Sequence, residues 1–339
     1  MKIREIISSI EEFSPLSLQE NWDNSGLQIG NSNDEVDSAL ITLDVTEEVI
    51  DDAILHGEKL IISHHPLIFS GIKSITGKSS VERIIFKAIK NNIAIYSAHT
   101  NIDMAKGGVS WKMAEKIGLQ SISTLLPQKG ILKKLVAYVP VDYVDQVRSA
   151  IFSAGGGSIG NYDLCSFNVE GIGTFRGNET TNPFVGEAGK EHSEKEIRTE
   201  IIFPAFAQGK IISALIKAHP YEEVAYDIYP VENSHAYIGF GVVGFLKEDT
   251  DADIFLNYLK SVFKCQAIKY SGDISRKIQK VALCGGSGSS LLKQAIASGA
   301  DIFVTGDFKY HQYFESENKI IVADIGHFES EQFTKELFY

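Results

Sequence analysis

The sequence predicts a discontinuous three-layer α/β domain interrupted by an inserted ferredoxin-like α+β domain. Two regularities and one contrast predict it. The first third carries continuous apolar runs, "ALITLDVT" (39–46), "KLIISHH" (59–65) and "IAIYSAHTNID" (93–103), separated by the helical patterns "EEVIDDAILHG" and "SVERIIFKAIKNN". The last third repeats the design in "KVALCGGSGSSLLKQAIASG", "DIFVTGDFKYHQYFE" and "KIIVADIGHFESEQFTKEL". Apolar strands alternating with helices belong to a sheet covered on both faces, so the two thirds are expected to share one sheet. The middle reads instead as strand, helix, two strands, helix, strand, the βαββαβ order of a ferredoxin-like module. The punctuation "PQKG" and "LKEDTDAD" places the α/β domain at 1–128 and 247–339 and the insert at 129–246.

Each element has a local reason. The opening "MKIREIISSIEEFSP" spaces Ile3, Ile6, Ile7 and Ile10 on one helical face and does not read as a signal peptide. No apolar run is long enough to span a membrane, and a cytoplasmic location is expected. Cys165, Cys265 and Cys284 lie far apart and form no CxxC pair, against a disulfide framework or zinc knuckle. With 32 Lys/Arg against 44 Asp/Glu, the net charge of −12 argues against nucleic acid as the main partner.

The chemistry-bearing residues gather where strands end. In open α/β sheets, ligands collect beyond the carboxyl ends of strands. His64 and His65 follow "LIIS", and Asp103, with His99 before it, follows "IAIYSA". Asp307 and His311 follow "DIFVTG", and His327 follows "IIVADIG". His327 and Glu331 stand four apart, so a helix there presents both on one face. His64, His65, Asp103, His327 and Glu331 make five donors, more than one tetrahedral ion takes. A bridging carboxylate would let them hold two divalent ions. Zinc, iron, manganese, cobalt or nickel would suit such a set. His99, Asp307 and His311 stand behind these five, as partners that orient ligand imidazoles or as helix caps. His56, His192 and His235 take the default reading of surface or capping residues.

The blocks "NWDNSGLQIG" (21–30), "SHHPLIFSGIKSI" (63–75), "SAHTNID" (97–103), "TGDFKYHQ" (305–312) and "GHFESE" (326–331) resemble the signature of the GTP cyclohydrolase I type 2-like, or Nif-three-like, family. The resemblance runs over essentially the whole chain, and the middle segment is similar to the PII/CutA-like module of long bacterial members. It implies a dinuclear metal site on His64, His65, Asp103, His327 and Glu331, with Glu331 as the bridge. It also implies a homohexameric toroid built from dimers.

The activity expected is that of a metal-dependent hydrolase with a metal-activated bridging water. Its small-molecule substrate would be GTP, as the family label suggests, or another nucleotide or phosphoester. Purine ring opening needs a proton donor, for which His99 and His311 are the candidates. The alternative is a non-catalytic, metal-linked regulatory or scaffold hexamer. The glycine run "CGGSGSS" (284–290) offers an anion nest or a tight turn, and it lacks P-loop spacing. "AHPYEEVAYDIYP" (218–230) clusters His219, Tyr221, Glu222 and Glu223 for a ligand, for a neighbouring subunit or for packing. In "NWDNSGLQIG", Trp22 reads as core, and Asp23 or Asn24 as lining the site mouth. No nucleophile elbow or dinucleotide fingerprint appears.

Overall fold

The computed structural model describes residues 1–339 and is a mixed α/β fold built on three sheets. The chain divides into two compact units, residues 1–127 with 237–339, and residues 128–236. No helix is long and apolar enough to cross a membrane.

Four strands open the first unit: β1 (Gly26–Ile29), β2 (Leu40–Thr42), β3 (Leu60–Ser63) and β4 (Ala94–Ser97). They form a sheet in the order β1-β4-β3-β2, parallel except where β1 runs against β4. Strand alternation sorts the side chains onto two covered faces. Ile61 and Ile95 pack under the helices Glu47–His56 and Ser80–Lys90. Leu60, Ile62, Ala94 and Tyr96 pack on the other face with Ile3, Ile6, Ile7 and Ile10 of the first helix, Ile3–Phe13. The Glu47–His56 helix starts where the Thr46 side chain accepts from the Val49 amide and stops at Gly57, whose φ of 83° suits the turn out. The Ser80–Lys90 helix has Ser79 as its cap, accepting from the Glu82 amide, and ends in Lys87 and Lys90.

Strand β5 (Gln120–Pro127) begins a second sheet. The second unit then supplies β6 (Leu132–Pro140), β7 (Phe167–Phe175), β8 (His192–Pro204) and β9 (Tyr226–Val231). These run antiparallel in the order β7-β8-β6-β9, with helices Val144–Ser153 after β6 and Gln208–Ala218 after β8. Leu135, Ala137, Val139, Ile201 and Phe203 pack with Val147, Ile151, Ile211 and Leu215, so the helices cover one face of this sheet.

Back in the first unit, β10 (Gly239–Asp251), β11 (Lys269–Ser271), β12 (Lys277–Ser287), β13 (Ile302–Gly306) and β14 (Ile321–Asp324) complete the second sheet in the order β11-β14-β13-β12-β10-β5. Strands β12, β13 and β14 are parallel. Val281, Leu283, Ile302 and Val304 face Phe255, Leu259 and Phe263 of the helix Ala252–Phe263, while Ala282, Phe303 and Val322 face Leu292 and Ala295.

The first and last thirds therefore do not share one sheet, as the apolar pattern had suggested. Each builds its own three-stranded parallel core. Covered faces produce the same apolar pattern whichever strands pair, so periodicity does not distinguish one sheet from two. The expected boundary near 246 falls inside β10, whose pairing with β12 breaks register between Phe245 and Thr250.

Ile61 is fully buried at the centre of the first sheet. Ile61→Ala is expected to lower stability by about 2–5 kcal/mol in urea unfolding, and a cost below ~1 kcal/mol would contradict this packing.

Candidate metal centre

The first unit brings His64, His65, Asp103, His327 and Glu331 together with His99. His64 and His65 leave β3 directly, His99 follows β4, and Asp103 lies on the short helix Thr100–Met104 that begins there. His327 and Glu331 are the first and last residues of the helix His327–Glu331, which follows β14. The convergence is thus between carboxyl ends of strands from two sheets.

Glu331 sits in the middle, 3 % exposed. Its Oε2 lies 3.0 Å from His65 Nε2 and 3.1 Å from His327 Nε2, and its Oε1 lies 3.6 Å from His64 Nε2. His64 Nε2 is also 3.7 Å from Asp103 Oδ1. The Nε2 atoms of His65 and His327 face each other at 3.3 Å. Two nitrogens on one tetrahedral ion, each about 2.0–2.1 Å from it, stand about 3.4 Å apart. His99 brings a ring nitrogen within 4.8 Å of those of His64 and His65.

The outward ring nitrogens are all engaged. His64 Nδ1 bonds to the Ala98 carbonyl at 2.9 Å, His65 Nδ1 to Asp44 at 2.8 Å, His99 Nδ1 to Asp23 at 2.8 Å and His327 Nδ1 to Asp307 at 2.6 Å. Such a partner makes Nδ1 the proton-bearing nitrogen and turns Nε2 into an acceptor for a metal. Meanwhile His64 Nε2 and Asp103 Oδ1 are buried and make no hydrogen bond. Buried polar atoms without a partner are costly and point to an occupant of the space between them. The donor set fits a divalent transition metal.

The electrostatics agree. Burial pulls the His64 imidazole down, yet the Asp103 and Glu331 carboxylates outweigh it and lift it to about 9. Glu331, helped by Asp307, likewise lifts His327 to about 9. Burial raises the Asp103 carboxyl, whereas the imidazoles of His327, His64 and His65 overcome burial and hold Glu331 well below the usual carboxylate range. The cluster stabilises positive charge at its centre.

The glycine run does not form a free anion nest. The Gly285, Gly286 and Gly288 amides donate to the hydroxyls of Ser110, Ser330 and Thr305. The run instead lets the backbone approach Glu331. At Gly286, with φ +61°, an added Cβ would lie 2.2 Å from Glu331 Oε1.

His311 stands apart from the cluster, exposed on the turn Tyr310–Ser316 with its ring against Tyr310 and Phe314. Trp22 is not core: it is 57 % exposed, and beside it Asp23 orients His99. The Asp44 partner of His65 escaped the sequence reading, although it too follows a parallel strand, β2.

Fold and site together define a mixed α/β protein with histidines and carboxylates converging from strand ends into a metal-ready pocket. The whole chain, residues 1–339, matches the family described as Duf34/NIF3 (NGG1p interacting factor 3), and the protein belongs to that family. It is 42 % identical to the "GTP cyclohydrolase 1 type 2 homolog" of Halalkalibacterium halodurans, over 95 % of this chain and 87 % of the relative. It is also 42 % identical to the protein of the same name from Bacillus subtilis, over 98 % and 90 %. The crystal structure of a Bacillus cereus protein related to NIF3 superposes with a TM-score of 0.87 at 42 % identity, covering 100 % of this chain and 92 % of that one.

Two outcomes follow. His64 and His327, raised from an ordinary 6.5 to about 9, hold protons at neutral pH that a metal must displace. Zinc uptake by chelator-stripped protein at pH 7 is therefore expected to release protons, seen as a binding heat that changes with the buffer's ionisation enthalpy. A heat independent of buffer would contradict the assignment. The sign for stability is the same: the contribution of these imidazoles to the stripped protein is full below 6.5 and lost as pH rises through about 9. Separately, Gly286→Ala is expected to displace Glu331 and reduce bound metal at least tenfold by elemental mass spectrometry, with unchanged circular dichroism.

Proposed function

We propose that this centre holds two divalent ions bridged by Glu331 and that the protein is a metal-dependent hydrolase of a nucleotide-like small molecule. The observation that carries the reading is the division of Glu331. Its Oε1 faces His64, which also faces Asp103, and its Oε2 faces His65 and His327. Zinc, iron, manganese, cobalt or nickel suits this mixture of imidazole and carboxylate. When bound, such ions would polarise a carbonyl or phosphoryl oxygen and lower the pKa of water.

The chain's own residues supply orientation and a proton. Asp44, Asp23 and Asp307 fix three imidazoles. His99 faces the cluster with its other nitrogen on Asp23, which places its free Nε2 to take a proton from the attacking water and pass that proton on to a leaving atom. The exposed His311 ring does not take that role in this reading.

An aromatic wall supports a planar substrate. Trp22 and Phe69, 57 % and 53 % exposed, meet at 5.7 Å between ring centroids, and both flank His99, at 6.1 and 6.5 Å. Stacking a base on such rings is worth about 1–3 kcal/mol. The name that the relatives carry makes GTP the first nucleotide to try.

From the family resemblance we further propose a cytoplasmic homohexamer built from dimers. The second unit is read as a ferredoxin-like, PII/CutA-like insert, a reading supported by its strand order β7-β8-β6-β9.

Elemental mass spectrometry on reconstituted protein is expected to find two ions per chain, and one or none in Glu331→Gln. Turnover of GTP and a panel of phosphoesters then tests the hydrolase. Metal at full occupancy with no turnover would favour a regulatory scaffold, and no stoichiometric metal would sink both readings. Trp22→Ala is expected to raise KM about tenfold while leaving metal content intact.

A further inference from the structure

We propose that the second unit carries a binding site of its own, for a small organic cation, on the sheet face that its helices leave uncovered. This inference is independent of the metal centre. The uncovered face holds a cavity of about 570 Å³, within the range of small-molecule pockets. Its floor is made where β7 and β8 pair. Gly171 lies opposite Glu196 in register and leaves open space above it, while the Glu196 carboxylate leans over Gly173, where an added Cβ would collide with it; both glycines line the cavity.

Glu196 is 8 % exposed, and its Oε1 accepts from the Tyr221 hydroxyl at 2.9 Å. Tyr221 is itself held. Its amide donates to His219 Nδ1, and His219 Nε2 donates to the Tyr138 carbonyl, with His219 6 % exposed. This buried chain of bonds aims a carboxylate at the cavity and fixes it there. The ion pairs nearby run elsewhere: Arg198 and Lys134 to Glu200, and His192 to Glu194.

The walls suit a cation as well. Phe175 and Phe184 both pack against Tyr221, at 6.0 and 6.2 Å between centroids, and all three line the cavity. Aromatic faces beside a carboxylate receive an ammonium or guanidinium group and its apolar stem, as in other aromatic cages. Four carboxylates, Glu170, Glu196, Glu222 and Glu223, line the cavity against Arg176 and the already paired Arg198. That balance disfavours a phosphate or carboxylate ligand.

Isothermal titration calorimetry of the full chain with agmatine, spermidine and phenethylamine tests the site, with glutamate and GMP as anionic controls. At least one amine is expected to bind once per chain, and Glu196→Gln to weaken it at least tenfold. Gly171→Leu is expected to abolish binding without unfolding, because nothing lies within 4 Å of a Cβ built there. Stripping metals should leave the affinity unchanged, which separates this site from the centre in the first unit. Silence from all three amines at millimolar concentration, or equal binding of the anions, would overturn the proposal. So would binding retained in both variants. Should Glu196→Gln unfold the insert, Gly171→Leu decides alone.

Discussion

A carboxylate buried among imidazoles is the constraint from which the arrangement of the first unit follows. An isolated anion withdrawn from water costs several kcal/mol, and one as buried as Glu331 has to be met by positive charge or by a metal. The groups that meet it come from both sheets: His64 and His65 from the end of β3, His327 from beyond β14. The two parallel cores are therefore tied at their carboxyl ends. The helices between them serve that meeting. The helix Val109–Lys116 reaches β12, with Ser110 accepting from the Gly285 amide and Val109 lying 2.6 Å from a Cβ built at Gly285. A side chain at Gly285 or Gly286 would press on Val109 or on Glu331 itself.

The four imidazoles are not held equally. His64 is fixed by a backbone carbonyl and is wholly buried, so its ring has no alternative partner. His65 and His327 depend on Asp44 and Asp307, whose side chains are 58 % and 51 % exposed. Water competes for those carboxylates, and such tethers are correspondingly weak. The centre thus has a rigid end at His64 and Asp103 and a more adjustable end at His65 and His327. The aromatic pair Trp22 and Phe69 flanks His99, whose ring lies 5.4 Å from that of His64 and 5.5 Å from that of His65.

The cluster was legible in the sequence for a simple reason: parallel strands deliver whatever follows them to one edge. The rule picked out His64, His65, Asp103 and His327, and helical spacing added Glu331. The same rule applied to "ALITLDVT" would have found Asp44, which lies just past β2. Pairing was less legible. A strand covered on both faces is apolar at every position, so β3 and β13 look alike and nothing in either says which sheet it joins. The glycine run stayed open between nest and turn for a related reason. Its amides were visible as donors, but the Ser110, Ser330 and Thr305 acceptors come from distant segments. The polar punctuation after 246 marks an irregularity of β10, where its register with β12 breaks, and not its end.

Protons and a metal held as proposed would compete for the same position. Five carboxylates, those of Asp23, Asp44, Asp103, Asp307 and Glu331, surround four imidazoles, and the surplus negative charge must be balanced at the centre. Protons on His64 and His327 supply that balance in part, but they leave the buried Asp103 Oδ1 without a hydrogen bond. Ions held as proposed would meet the atoms on both sides of Glu331, which a proton on one ring cannot do. Binding that occurs only in the folded state adds RT ln(1 + [L]/Kd), about 4 kcal/mol at a thousandfold excess over Kd. With metal held as proposed, folding stability and metal affinity would be coupled through the same few atoms. The seam between the two sheets is the part of the first unit in which that coupling is stored.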